Sequence, residues 1–322
     1  MLYLTYNINT NEDGLAAQYQ RIIGIICIAM HYNIKYVHTK IKHMEHIENC
    51  NPKEKNSDLS KCTYLNHIED YFGFAKNFDS VDDYTFDEIV EESHPTHDSI
   101  QKYINSDQNI LMKIYLPYTI CEANVTIYTK AMPLLRSMMK SIPLKFYSPN
   151  DFNIAVHVRR GDVSQVHNNN RYASTEQVMD IINNLRRIYQ QGIIYIFTEI
   201  TEENKNEFDS ILCDNIILKA NEDVIDTLNH LINADVLVLG KSSFSYLAGL
   251  YNPNIVYNVN FWHTPMPNWI NVDNIAKVES FQNIKVSSLI TPSTSLYKFN
   301  SFNNIILLLI FTILIYLTFF VR

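Results

Sequence analysis

Apolar residues fall along the chain in two regimes. From Asn153 to Asn258 short unbroken runs recur at regular spacing: Ile154–Val158, Ile193–Phe197, Ile216–Leu218, Val236–Leu239 and Ile255–Tyr257. Runs without polar alternation suit strands buried on both faces. Between them lie Thr175–Gln190, Glu202–Leu212, Asp223–Asn233 and Ser243–Tyr251, each long enough for a helix. Repeated strand–helix–strand units predict an α/β fold with a parallel sheet covered on both faces, a Rossmann-like domain.

The first half is less regular. Leu2–Tyr6 reads as a strand, Leu15–Tyr32 as an isoleucine-dense helix and Ile34–Val37 as a second strand. Lys40 to Asn109 is charged and irregular, with an acidic helix expected near Phe86–Glu92 and a surface insertion over Asn49–Lys61. Ala131–Met139 reads as one more helix. Pro143 and Pro149 precede the restart of strand periodicity, which divides the chain into a domain over 1–148 and another over 149–279. Two Rossmann-like halves with a cleft between them are the economical architecture. Ligands of such sheets sit beyond the C-terminal ends of the strands.

At the far end, Ile305–Val321 runs for 17 residues without a charge, proline or glycine. As a helix it spans about 26 Å, close to the roughly 30 Å of a bilayer core. Only Thr312, Tyr316 and Thr318 interrupt it, whereas a core helix carries a polar stripe. It reads as a transmembrane tail anchor over 304–322, with a serine-rich stalk over 280–303. The N-terminus lacks a secretion-signal pattern, so the domains are expected on the cytoplasmic side.

Composition narrows the chemistry. Seven glycines in 322 residues leave no G-x-x-x-x-G-K-[ST] and no G-x-G-x-x-G, which removes P-loop NTPases and fingerprinted dinucleotide enzymes. The balance of 26 basic against 34 acidic residues argues against a nucleic-acid partner. Five scattered cysteines without a C-x-x-C read as reduced thiols. Neither D-x-D nor H-E-x-x-H occurs, so neither a metal nor a cofactor is expected.

Three stretches could carry chemistry. His157-Val158-Arg159-Arg160-Gly161-Asp162 closes the Ile154–Val158 run. Two guanidiniums and an imidazole at a strand end form an anion site, because arginine presents a charged planar fork to phosphate oxygens. A structural ion-pair cluster with Asp162 fits the same residues equally well. Gly240-Lys241-Ser242-Ser243-Phe244-Ser245 follows a buried run and opens a helix, where serine caps backbone N–H groups and a phosphate is favoured. Gly14-Leu15-Ala16-Ala17-Gln18 is a small-residue turn before the first long helix. Glu199, just past the Ile193–Phe197 strand, is a candidate general base or an exposed helix-start carboxylate. Arg171-Tyr172 and the aromatic run Phe261-Trp262-His263 stand nearby in the pattern, as ligand contacts or as surface and packing residues.

In this order and separation, the three stretches resemble the GDP-fucose-dependent fucosyltransferases of the α1,2/α1,6/protein-O-linked superfamily. That family carries a strand followed by His-x-Arg-Arg-x-Asp, which His157 to Asp162 matches at every fixed position. The resemblance covers residues 3–38 and 150–262. It implies a GT-B fold with the first half on the acceptor side, and inverting, metal-free transfer of fucose from GDP-fucose to a glycan or protein hydroxyl. By position it implies that Arg159 and Arg160 hold the β-phosphate beside His157; the residue types themselves suggest that Asp162 orients Arg160. It further implies that Ser242, Ser243 and Phe244 line the donor nucleotide and Gly14 the N-terminal turn. An acidic residue that receives the guanine edge in the family corresponds here to Thr227, with Asp226 adjacent. Ala16 and Ala17 replace the usual glycine and asparagine, and Val163 follows Asp162. A relative that binds nucleotide or glycan without turnover, or a transferase of another nucleotide sugar, is the competing expectation.

The tail makes a direct prediction. The full chain sediments with membranes, and a chain ending at residue 298 stays in the supernatant; full-length protein recovered in the supernatant contradicts the anchor.

Overall fold

The computed structural model describes residues 1–8, 13–45 and 58–278. The expected stalk and anchor over 280–322, and most of the insertion over Asn49–Lys61, lie outside the described residues. Among the described residues no helix is long and apolar enough to cross a membrane.

Met1–Val278 form one compact unit holding two parallel sheets, one after the other in sequence. The first contains β1 (Leu2–Tyr6), β2 (Lys35–Tyr36), β3 (Glu88–Glu92) and β4 (Ile110–Ile114) in the order β2-β1-β4-β3. The second contains β5 (Asn153–Val158), β6 (Ile193–Thr198), β7 (Ile216–Ala220), β8 (Val236–Val238), β9 (Ile255–Asn258) and β10 (Ile270–Asn271). Its order, β10-β9-β8-β5-β6-β7, places the first strand of the half at the centre. From β5 the chain winds outward through β6 and β7, then crosses back to β8 and winds the other way. Adjacent strands whose connections leave in opposite directions open a crevice at their C-terminal ends. Here those strands are β5 and β8, registered Ile154 to Val236 and Val156 to Val238.

The five apolar runs of the second half form strands as expected. Other expectations give way. Phe86–Glu92 is not a helix: Glu88–Glu92 is an edge strand paired along β4. Backbone pairing to a neighbouring strand overrides the helical preference of glutamate, and the charges blunt an otherwise exposed edge. β4 itself, which lies between β1 and β3, ends a stretch expected to be irregular. Glu202–Leu212 is a chain of turns ending in a single 3-10 turn at Asp209–Ile211. The Asn204 side chain accepts from the Thr201 backbone N–H and hydroxyl at 2.6 and 3.2 Å, a local competitor that breaks helices.

The Leu15–Tyr32 helix joins the two halves. It is buried over nearly its whole length, and one apolar core runs from Ile22 and Ile26 through Tyr71 and Phe72 to Leu247 and Tyr251. At Gly24 an added Cβ would stand 2.6 Å from Pro117 Cγ, so the close approach of helix and loop requires glycine there. Polar ties complete the junction. Tyr64 and Tyr71 donate to Asp223 and Asn229 at 3.0 and 3.3 Å. Arg136, from the Thr126–Met138 helix, donates to the carbonyls of Leu250, Tyr251 and Asn252 at 3.0, 2.5 and 3.2 Å. Those carbonyls close the Ser243–Tyr251 helix, whose C-terminal end favours a cation.

Candidate functional site at the switch point

β5 and β8 deliver the two motifs to the same edge of the sheet. Near the C-terminal end of β5, His157 keeps its Nδ1 shut off from solvent and without a hydrogen-bond partner. Burial, then the neighbouring Arg159 charge, pushes its pKa down to about 3, so the ring is neutral. Gly240 presses on it: a Cβ there would stand 2.7 Å from the His157 carbonyl oxygen and 2.9 Å from Nδ1. Ser245 braces this turn, receiving the Gly240 N–H at 3.0 Å and donating to the Gly240 carbonyl at 3.1 Å. Phe244 lies beside the imidazole, with ring centroids 5.6 Å apart.

The two arginines part company. Arg159 forms a fork on Asp162 (3.1 and 2.6 Å) and donates through Nη1 to Ser242 Oγ at 3.0 Å. Ser242 is buried and caps the Ser243–Tyr251 helix through the Phe244 N–H at 3.2 Å. Of the five N–H donors of a guanidinium, these three bonds leave two on the half-exposed Arg159. Arg160 turns inward and is buried. It grips Glu207 at 2.9, 3.0 and 2.5 Å and donates to the carbonyls of Arg159 and Ala173 at 2.9 and 2.8 Å. The faces of Tyr172 and Phe208 flank it, at 4.4 and 5.8 Å. Burial raises the Glu207 pKa, and the bonds from Arg160 and Thr175 outweigh that, leaving it below its ordinary value.

This corrects the sequence expectation twice. Asp162 orients Arg159, not Arg160. Arg160 is engaged in holding Glu207 and the Ala173 turn, not in facing an anion.

Glu199 is exposed and lies against the same loop: a Cβ on Gly161 would overlap its Oε2. Gly161 has φ +78, a left-handed backbone that favours glycine there. Ser243 Oγ stands 3.3 Å from His263 Nε2. Among the described residues, Gly14, Asp226 and Thr227 form no hydrogen bond or ion pair with this cluster. Gly14 precedes the Leu15–Tyr32 helix with an ordinary φ of −69. Asp226 is paired with Lys145, and Thr227 takes its place in the Val224–Ile232 helix.

Sequence reasoning missed Glu122 and Glu207. Glu122 accepts from His263 Nδ1 at 2.6 Å and from the Thr264 backbone at 3.2 Å, and Trp262 Nε1 donates to His263 Nε2 at 3.0 Å. His263 therefore carries its proton on Nδ1 and accepts at Nε2. Glu122 and His263 are 141 residues apart, and no local pattern could have joined them. Arg171 lies with its guanidinium carbon 4.6 Å from the Trp262 ring centroid. Beside Gly240, Tyr246, Phe261, His263 and Trp269 enclose a cavity of about 10 Å³, room for one water and not for a sugar nucleotide.

No protein-family model matches the chain, and neither does any curated protein. Among solved structures, POFUT1 in complex with GDP aligns at 10% identity over 80% of this chain and 98% of its own, with a TM-score of 0.45. The E. coli heptosyltransferase WaaC with ADP-2-deoxy-2-fluoro heptose aligns at 9% identity over 84% and 92%, TM-score 0.41. The S. aureus MnaA–UDP structure aligns at 11% over 86% of each chain, TM-score 0.37. Likenesses this distant bear on neither the ligand nor the reaction of this chain.

Two outcomes follow from the geometry. Arg160→Met strands Glu207 and costs about 3 kcal/mol in urea unfolding, with part regained in the double variant carrying Glu207→Gln. Arg159→Met costs under about 1 kcal/mol, because its ion pair is exposed to solvent. Equal losses would show the two side chains to be equally structural. His157 supplies the second outcome. The unfolded chain binds its proton near pH 6.5, the folded chain only near 3. Stability from this site is therefore intact above about 6.5 and drains as pH falls toward 3. Between about pH 7.5 and 5.5 it removes roughly 1.3 kcal/mol. His157→Gln flattens the unfolding-midpoint curve by that amount, and an unaltered slope contradicts the neutral buried imidazole.

Proposed function

We propose that the chain is an inverting, metal-independent glycosyltransferase of GT-B type, using GDP-fucose as donor and a glycan or protein hydroxyl as acceptor. One observation carries the reading. Arg159 Nη1 meets Ser242 Oγ at 3.0 Å, uniting two motifs 83 residues apart at the β5/β8 crevice. That is where a doubly wound sheet binds its ligand. The resemblance of His157 to Asp162 to the His-x-Arg-Arg-x-Asp motif makes the guanine nucleotide the first donor class to test.

The chemistry follows from charge. Breaking the sugar–phosphate bond builds negative charge on the departing nucleoside diphosphate and cationic character at the sugar carbon. Arg159 offers two unspent N–H groups to that charge. Asp162 and Ser242 already hold the fork in place, so little reorganisation accompanies the reaction. The start of the Ser243–Tyr251 helix adds its dipole at the same spot. Neutral His157 lets the guanidinium sit close without like-charge repulsion. Glu199, on the exposed rim beside Gly161, is the base for the acceptor hydroxyl. The tail segment would hold this site at a membrane surface.

A second reading has its own support. Arg159 already faces a carboxylate and Arg160 is consumed, which leaves less charge to stabilise a departing diphosphate. These features suit a relative that binds nucleotide without turnover.

A thermal-shift series separates the two. GDP raises the melting temperature well beyond UDP or ADP by the mass-action effect of ligand binding, and hydrolysis of GDP-fucose accompanies it in a transferase. GDP stabilisation with no hydrolysis or transfer identifies the binding relative. Arg159→Ala lowers the rate by about two orders of magnitude and weakens GDP; undiminished GDP affinity in that variant removes Arg159 from the site.

A further inference from the structure

The positive charge supplied by the strand-end motif is nearly cancelled within the chain. Arg159 faces Asp162, and Arg160 faces Glu207. A departing diphosphate needs more cation than two neutralised pairs provide.

Arg171 is differently placed. It sits in the loop that follows Asp162. Asn168 holds that loop, adopting a left-handed conformation (φ 52) and donating through Nδ2 to the Asp162 carbonyl at 3.0 Å. The Ser164 N–H closes on the His167 carbonyl at 2.8 Å. The Arg171 guanidinium lies over the Trp262 ring and, among the described residues, makes no hydrogen bond and no ion pair. Stacking on an indole fixes the plane of the fork and leaves its N–H edge for an anion.

The platform is itself fixed. Trp262 donates to His263 Nε2, His263 donates to Glu122, and Ser243 Oγ approaches the same Nε2. Ser243 adjoins Ser242, which receives Arg159. The contacts thus run from Arg171 through Trp262, His263 and the start of the helix back to Arg159. Charge confirms the proximity: burial and then Arg159 push the Arg171 pKa down, while Asp162 and Asp13 push it up.

We infer that Arg171, not Arg160, is the second cation on the donor diphosphate, presented from the face of Trp262. This rests on the nucleotide-sugar reading above.

The test uses calorimetric binding of GDP and GMP to the full chain in detergent. Wild type binds GDP more tightly than GMP. Arg171→Met weakens GDP at least tenfold, about 1.4 kcal/mol, and collapses the GDP-over-GMP preference. Arg171→Lys restores part of it, and Lys130→Met, at an exposed cation of the Thr126–Met138 helix, changes the preference little. GDP affinity unchanged in Arg171→Met overturns the inference while leaving the nucleotide reading intact. Equal weakening of GDP and GMP also overturns it, because the loop would then act only structurally. A wild-type chain that binds none of GDP, UDP and ADP defeats the reading and this inference together.

Discussion

Two consecutive residues leaving a strand must point to opposite sides, and the whole switch point is arranged around that constraint. Arg160 takes the inner side and is satisfied there by Glu207, two carbonyls and two aromatic faces. Arg159 takes the outer side and meets the cap of the next helix. Gly161 makes the reversal possible. Its left-handed backbone would cost another residue about 1–2 kcal/mol. The doubled arginine is thus a division of labour, one side chain for the loop and one for the rim.

The rim is assembled from both halves. Glu122 belongs to the first half and His263 to the loop after β9, and their bond sets the tautomer of a histidine that touches the start of the Ser243–Tyr251 helix. Gln20, on the long joining helix, approaches the same ring at 3.2 Å. The first half therefore reaches the second-sheet site directly, through a carboxylate and an amide.

What could be read in advance follows the range of the forces involved. The central strands of the second half are largely apolar because both faces are covered, and that leaves a local signature in Ile154–Val158 and Ile193–Phe197. The Ser243–Tyr251 helix announced itself through its serine cap. β3 did not, because Glu88, Glu91 and Glu92 favour a helix until a neighbouring strand offers its backbone. β4 was hidden by Lys113 in a short apolar run. The motif His157–Asp162 was visible, yet the partners of its arginines were not. Asp162 lies three residues from Arg159 and could serve either side chain, and Glu207 is 47 residues from Arg160 in a segment that looked helical. Residue types reveal that charges must be paired; only the folded chain decides with whom.

Arg136 carries a mechanical consequence. The helix whose first turn lines the crevice is pinned at its other end by three carbonyl bonds from the opposite half. Any widening of the gap near Gly240 that drew the halves apart as rigid blocks would have to break all three at once. A swing that keeps them makes that arginine the fulcrum and the serine end the moving tip, so the longest travel falls where the space is tightest.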